Sequence, residues 1–329
     1  MRPEGSTSSP LVSVVTPFFN TAPYLAECIE SVLRQTYQNW EYILADNCST
    51  DGSGEIAASY AGRDPRVRLV RETAFLDQLS NYNRALTYPS AAGRYCKMVQ
   101  ADDWIFPNCL EEMVRAAESA PDVALVGSLS MYEERVCHDG LPYRCHVVPG
   151  VEMLRRSLRD DLPVFGSPTC VMYRSSDVLA RRPFFEVGSP FADTEVCFDL
   201  LRTGQFAFVH QVLTFNRRQE GSTWVRLTPH QPQQLHDVPL TQRYGPRLFA
   251  PREFEDLANR VSDDYYRFLG RAVIEGRPSE FWDYHVGGLK WAGQRISASR
   301  LWRYALWELL DPLRAWPRLA RTIARRLGR

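Results

Sequence analysis

The chain has 329 residues, of which 44% are hydrophobic, 24% charged and 12% aromatic. This globular composition excludes a mostly disordered or fibrous protein. Its 39 basic and 39 acidic residues cancel, which argues against a nucleic-acid binder driven by global charge, because phosphate binding normally leaves a basic excess.

The length suits two domains, or one large domain with an appendage. Residues 1–9 lack an apolar stretch, so they read as a disordered N-terminus and not as a secretory signal. No segment has the roughly 18 apolar residues that would span a bilayer. Eight scattered cysteines form no Cys-x-x-Cys pair. Cys137-His138 and Cys145-His146 come nearest to a ligand cluster, but their spacing fits no zinc pattern. So low a cysteine density favours a reducing compartment, and the expected location is cytoplasmic.

The first half alternates strand-like and helix-like segments. Val12–Pro17 is a valine-rich run suited to a strand buried on both faces. Pro23–Arg34 follows with apolar residues at helical spacing. Strands are then expected at Glu41–Asp46, Val67–Arg71, Arg94–Gln100 and Val123–Ser128, with helices at Gly54–Tyr60, Leu76–Thr87 and Pro107–Ser119. Residues 129–190 are less regular. Asp193–Thr203 reads as a helix, Phe206–Phe215 as a strong strand, and residues 251–310 as helix-rich. Repeated strand–helix order implies an α/β fold: an open, twisted, mostly parallel sheet with helices on both faces. The expected division is a catalytic domain over residues 10–225 and a helical region over 226–329.

Ligands of such sheets bind beyond the carboxyl ends of the strands. Two acidic loops lie there, Asp46-Asn47-Cys48-Ser49-Thr50-Asp51 and Gln100-Ala101-Asp102-Asp103. Asp102 and Asp103 admit two readings. Hard carboxylate oxygens suit Mg²⁺ or Mn²⁺ with substrate phosphates, and an acid there could equally cap the next helix. Asp46 could accept hydrogen bonds from a nucleobase or ribose, or simply belong to a polar turn. Gly52-x-Gly54-x-x-Ala57 matches a relaxed dinucleotide fingerprint, but Asn47 to Asp51 separate it from the strand. The tight strand-to-helix turn that holds a pyrophosphate is therefore missing, and NAD or FAD binding is rejected.

The ordered set VSVVTPFFN, then ADNCSTDGS about 30 residues on, then QADDW about 50 further resembles glycosyltransferase family 2. The resemblance covers roughly residues 10–222. It implies the GT-A fold, an inverting hexosyl-type transfer from a nucleotide-diphospho-sugar (uridine commonest), a divalent cation, and a role such as polysaccharide biosynthesis. Carried over by position, Thr16, Pro17, Phe19 and Asn20 match the segment against base and ribose. Asp46 matches the acid that contacts the base, with Asn47 beside it. Arg71 and Asn81 fall near the donor-binding segment. Gln100, Ala101, Asp102 and Asp103 match the Asp-x-Asp region, whose carboxylates hold the metal and diphosphate. Asp193 matches the catalytic base, with Glu195 as the fallback. His210, Arg217 and Arg218 stand where diphosphate or acceptor contacts would lie, although a strand histidine is commonly a core residue and an arginine pair a solvated one.

Three positions depart from the pattern: Asn47, Gln100 and Ala192 stand where acids are common. They are the support for an alternative, a catalytically weak nucleotide-sugar-binding or assembly subunit on the same fold. The acceptor implied is a glycan, a lipid-linked glycan or a similar molecule. From Leu313 to Arg329 there are six arginines and no acid, with Arg314, Arg318, Arg321 and Arg325 on one helical face. Such a tail suits peripheral contact with the inner face of the cell membrane, although Pro312 and Pro317 interrupt it and a solvated or packing role fits equally.

Overall fold

The computed structural model describes residues 9–160, 162–219 and 221–310. The chain divides into two compact units between Arg218 and Gln219, earlier than the boundary expected after residue 225. The reason is local. The last strand of the first unit ends at Asn216, and the first helix of the second already begins at Thr223. Residues 1–8, most of the expected disordered N-terminus, lie outside the described residues, as do residues 311–329.

The first unit holds ten strands: β1 (Val12–Phe18), β2 (Trp40–Asp46), β3 (Val67–Arg71), β4 (Tyr95–Met98), β5 (Trp104–Ile105), β6 (Val123–Tyr132), β7 (Arg135–Cys137), β8 (Val147–Pro149), β9 (Val171–Arg174) and β10 (Gln205–Asn216). They form one sheet in the order β3-β2-β1-β4-β9-β6-β10-β5, with β7 on β6 and β8 on β10. The block β3-β2-β1-β4 is parallel. So is the β6–β10 pair. Strand β9 runs antiparallel between β4 and β6 and joins the two blocks. Its four residues, VMYR, are too few to show a period, which is why the sequence pattern misses it.

Helices α1 (Ala22–Leu33), α2 (Ser53–Ala61), α3 (Gln78–Ala85), α4 (Cys109–Ala117), α5 (Gly150–Asp160), α6 (Ser175–Ala180) and α7 (Ala192–Leu201) flank the sheet. Leu25, Cys28, Ile29 and Val32 of α1 and Leu110, Met113 and Val114 of α4 share one core with Val12, Val14, Tyr42 and Leu44. Each such side chain gains roughly 1.5–3 kcal/mol on full burial. Every residue of β1 is buried, as expected of a parallel strand covered on both sides.

The second unit consists of α8 (Thr223–Leu227), α9 (Gln233–Leu248), α10 (Pro251–Glu275), α11 (Ser279–Trp291) and α12 (Ala298–Leu310). Helix α10 packs against α9 and α12, and α11 packs against α9. Tyr265, Phe268, Leu269, Phe281 and His285 are buried in its core.

Candidate active site

The β1–β2–β3 register puts Phe18, Asp46 and Arg71 in one row at the carboxyl edge. Gln100 to Asp103 follow β4, which pairs with β1 on its other side. Two strand spacings, about 10 Å, therefore separate the strand that ends at Asp46 from the strand that leads into the acid pair.

Asp46 is 4% exposed, and its Oδ1 accepts from the Ser49 amide at 2.8 Å. Arg71 Nη2 donates to the Gly54 carbonyl at 3.0 Å. A Cβ on Gly54 would stand 2.8 Å from Asp46 Oδ2 and 3.4 Å from Arg71 Nη2. The rejected dinucleotide glycine thus serves another purpose: it lets α2 approach the Asp46 and Arg71 side chains. Beyond them Phe19, 40% exposed, meets the exposed Phe75 edge-on, with ring centroids 4.8 Å apart. Asn20 adopts a left-handed φ of 50°, and its Oδ1 accepts from the Thr50 amide at 2.8 Å, stitching the loop after β1 to the loop after β2.

Asp103 is 5% exposed. Its Oδ2 accepts from Asn216 Nδ2 at 2.7 Å and its Oδ1 from the Arg217 amide at 3.0 Å. Thr169 Oγ1 accepts from the Gln100 amide at 3.0 Å, and its hydroxyl also bonds Asp103. Asp103 therefore serves no helix cap: the N-cap position of α4 is Asn108. Burial, and then the charge of Asp102, push the Asp103 carboxyl well above the ordinary range. Arg217 Nε donates to the Asp102 carbonyl at 3.1 Å, its Nη2 pairs with Glu27, and its guanidinium lies 5.1 Å from the Tyr24 ring centroid. Below the pair, the fully buried Lys97 donates to the carbonyls of Thr169 and Val171.

Two neighbouring carboxylates, one buried and one half-buried, are a donor set that fits a hard divalent cation completed by phosphate and water. Burial first and the charge of Asp102 second raise the proton affinity of Asp103, and a cation between the two carboxylates would offset both. Among the described residues no group of three or more His, Cys, Asp and Glu surrounds a single point. The eight cysteines are free thiols. His138 bonds Ser130 Oγ at 2.9 Å and also bonds Cys170.

Asp193 lies in the first turn of α7, one position inside the helix and half-buried, with Phe191 as the N-cap residue. Its Oδ1 accepts from the Thr194 amide at 2.8 Å. Its charge reaches the buried Tyr173 hydroxyl, which lacks a hydrogen-bond partner among the described residues. Tyr173, Phe184, Phe185 and Tyr82 form a continuous run of ring contacts with centroids 5.0, 5.0 and 6.0 Å apart. Tyr82 ends that run at Gln100, whose Nε2 donates to its hydroxyl at 2.9 Å. Burial, reinforced by Asp102 and Asp103, raises the Tyr82 hydroxyl to about 12.

Several expected positions are placed otherwise. Thr16 is wholly buried and bonds the Tyr42 hydroxyl at 2.9 Å, so its side chain faces the core and not a donor. Pro17 and Ala101 are also buried. Both amide atoms of Asn47 are bound to the Leu76 backbone, at 2.8 and 2.9 Å. Asn47 thereby staples the loop after β3, which accounts for an amide where an acid is common. Asn81 is 5% exposed, and its Oδ1 has no hydrogen-bond partner among the described residues. Glu195 is fully buried, closed off from a solvent-borne substrate. His210 stands six residues before Asn216 on β10, roughly 20 Å of strand away. It belongs instead to a ring cluster with Tyr143, His146 and Phe208. Arg218 is exposed, with its amide donating to Glu133 at 2.8 Å. Thr169 and Asn216 bond Asp103 without being among the expected site residues; an asparagine closing the strongest strand was the available signal.

A mixed sheet with an acidic turn beyond its parallel block, flanked by helices of which one opens on a carboxylate, is an arrangement of the GT-A type. Residues 13–179, half of the chain, match the family model Glycosyl transferase family 2, and the chain belongs to that family. Glycosyltransferase GlyG of Streptococcus pneumoniae is 36% identical over 126 residues, 38% of this chain and 41% of GlyG, so the chain spans less than half of that relative. The crystal structure of S. aureus TarS 1-349 in complex with UDP-GlcNAc superposes with a TM-score of 0.62 at 14% identity, covering 97% of this chain and 92% of that one. The mannosyltransferase PcManGT from Pyrobaculum calidifontis, in complex with GDP-Man and Mn²⁺, gives a TM-score of 0.55 at 17% identity, over 97% and 86% of the two chains. At these identities the two structures establish the fold.

Proposed function

We propose that the protein transfers a sugar from a nucleotide-diphospho-sugar, a UDP-sugar, to a hydroxyl of a glycan or lipid-linked glycan, inverting the anomeric carbon. The observation that carries this reading is the gathering of Asp46, Arg71, Gln100, Asp102 and Asp103 along one edge of the parallel block. The UDP-GlcNAc of TarS and the GDP-Man and Mn²⁺ of PcManGT, on the same fold, support it.

In this reading the base lies between Phe19 and Asp46, the aromatic edge giving apolar contact and the carboxylate accepting a ring N–H. Asp102 and Asp103 would hold Mg²⁺ or Mn²⁺, which when bound would supply positive charge to balance the diphosphate leaving group. Asn216 and the Arg217 amide keep the Asp103 oxygens oriented without neutralising them. Asp193 takes the proton of the acceptor hydroxyl as it attacks from the face opposite the leaving group. A single displacement inverts the centre, as it does in one-step glycosidases.

A thermal-shift panel of UDP- and GDP-sugars, each with and without Mn²⁺, tests the reading. One UDP-sugar is expected to stabilise the protein in a Mn²⁺-dependent way, by about 2.7 kcal/mol at a hundredfold excess over Kd. A protein indifferent to every nucleotide sugar overturns it.

A further inference from the structure

Helix α12 has its amphipathic faces reversed. It turns Ala305 and Glu308 inward, where they are 1% and 3% exposed, and leaves Trp302, Leu306, Trp307, Leu309 and Leu310 at 47% to 77% exposure. The inward face is held by close backbone packing: a Cβ on Gly270 of α10 would stand 2.9 Å from the Ala305 nitrogen and the Tyr304 carbonyl carbon. The helix is thus fixed with its apolar stripe outward. Positions 302, 306, 309 and 310 recur at helical period, with Trp307 alongside. Single exposed apolar residues are ordinary; a contiguous stripe marks an interaction surface. Five of the thirteen exposed large hydrophobic residues among the described residues sit on this one helix.

The charge around the stripe selects the occupant. Arg303 is exposed on the outward side, and the Arg267 guanidinium, which pairs with Asp264 at 3.2 Å, lies 5.7 Å from the Trp307 ring centroid. The sequence then runs into Leu313–Arg329, with six arginines and no acid. An anionic bilayer accepts both features: Trp and Leu enter the boundary between headgroups and acyl chains, and arginines meet lipid phosphates. We infer that α12 is a membrane-docking helix that seats the protein on an anionic lipid surface. No described helix is long and apolar enough to cross a membrane, so the contact is interfacial. The inference is independent of the transfer reaction.

Flotation of the full chain with phosphatidylcholine vesicles, with and without phosphatidylglycerol, tests it. The wild type is expected to float with the phosphatidylglycerol vesicles, to stay behind with neutral ones, and to be released by salt. The double variant L306E/L310E is expected to lose at least about tenfold in vesicle affinity while keeping the wild-type circular dichroism melt. V286E, the same kind of change at an exposed position of α11, is expected to float normally. Failure of the wild type to bind phosphatidylglycerol vesicles overturns the inference, as does wild-type flotation of L306E/L310E. A vesicle-free dimer that L306E/L310E dissociates overturns it in favour of a second copy.

Discussion

Asn216 Nδ2 donates to Asp103 Oδ2 at 2.7 Å, tying the last residue of β10 to the acid that follows β4. The same amide donates to Ser167 Oγ at 2.9 Å, and its Oδ1 accepts from the Cys170 thiol at 3.1 Å. A neutral donor orients the carboxylate and leaves its charge for a cation, where an arginine or lysine would compete. Asn216→Ala strips a buried acceptor of its donor, at about 1–3 kcal/mol of stability. Urea unfolding should show that loss, together with weaker Mn²⁺-dependent binding of UDP-sugar. An unchanged urea midpoint would mean that the bond contributes nothing.

Gly54→Ala tests the Asp46–Arg71 cradle. The added methyl group would stand 2.8 Å from Asp46 Oδ2, so the carboxylate must shift. Helix propensity favours alanine by about 1 kcal/mol, so stability should hold while donor affinity falls roughly tenfold, about 1.4 kcal/mol. Calorimetric titration with UDP-sugar measures this, and wild-type affinity would dissociate Asp46 from donor binding.

Asp193→Asn should lower turnover by about 10²–10⁴-fold, the usual range for losing a general base, with donor affinity nearly unchanged. Steady-state kinetics with a fixed donor and a separate binding titration distinguish the two quantities. Near wild-type turnover would move the base elsewhere. Glu195, sealed within the fold, is a poor substitute.

His285 gives the second unit a pH dependence. Its Nε2 faces the His230 carbonyl at 2.8 Å, so that nitrogen carries the proton; Nδ1 then accepts from the Tyr265 hydroxyl at 2.9 Å. A protonated ring would set Nδ1–H against that hydroxyl hydrogen. Burial lowers the imidazole to about 4. The unfolded chain therefore binds the proton more tightly, and this contribution is intact above about pH 6.5 and lost as pH falls towards 4. The loss is on the order of 3 kcal/mol. Urea midpoints at pH 7 and pH 4.5 should differ in the wild type, and the difference should shrink in His285→Gln. An equal difference in both proteins would remove His285 as its source.

The parallel block was legible because its strands are valine-rich and its helices carry apolar residues at a clear period: Val12–Phe18 and Ala22–Leu33 are each readable alone. Strand β9 was not. Four residues have no measurable period, and β9 gains its place only by bridging β4 and β6. Asp46, Asp102 and Asp103 could be found because each follows a readable strand. Thr16 and Asn47 could not be separated from the ligand-facing positions, because which side of a loop or strand meets solvent depends on its neighbours. Tyr42 and Leu76 are those neighbours, and they are distant in sequence.

By itself, the sequence determined the α/β class, the family and the acids beyond the sheet edge, because local periodicity and motif spacing are properties of contiguous residues. Only the tertiary structure decided that Asn216 and Thr169 hold Asp103, that Gly54 makes room for Asp46, and that α12 turns its tryptophans outward. Each of those depends on chain segments far apart in sequence meeting at hydrogen-bond or van der Waals distance, and no local pattern encodes that distance.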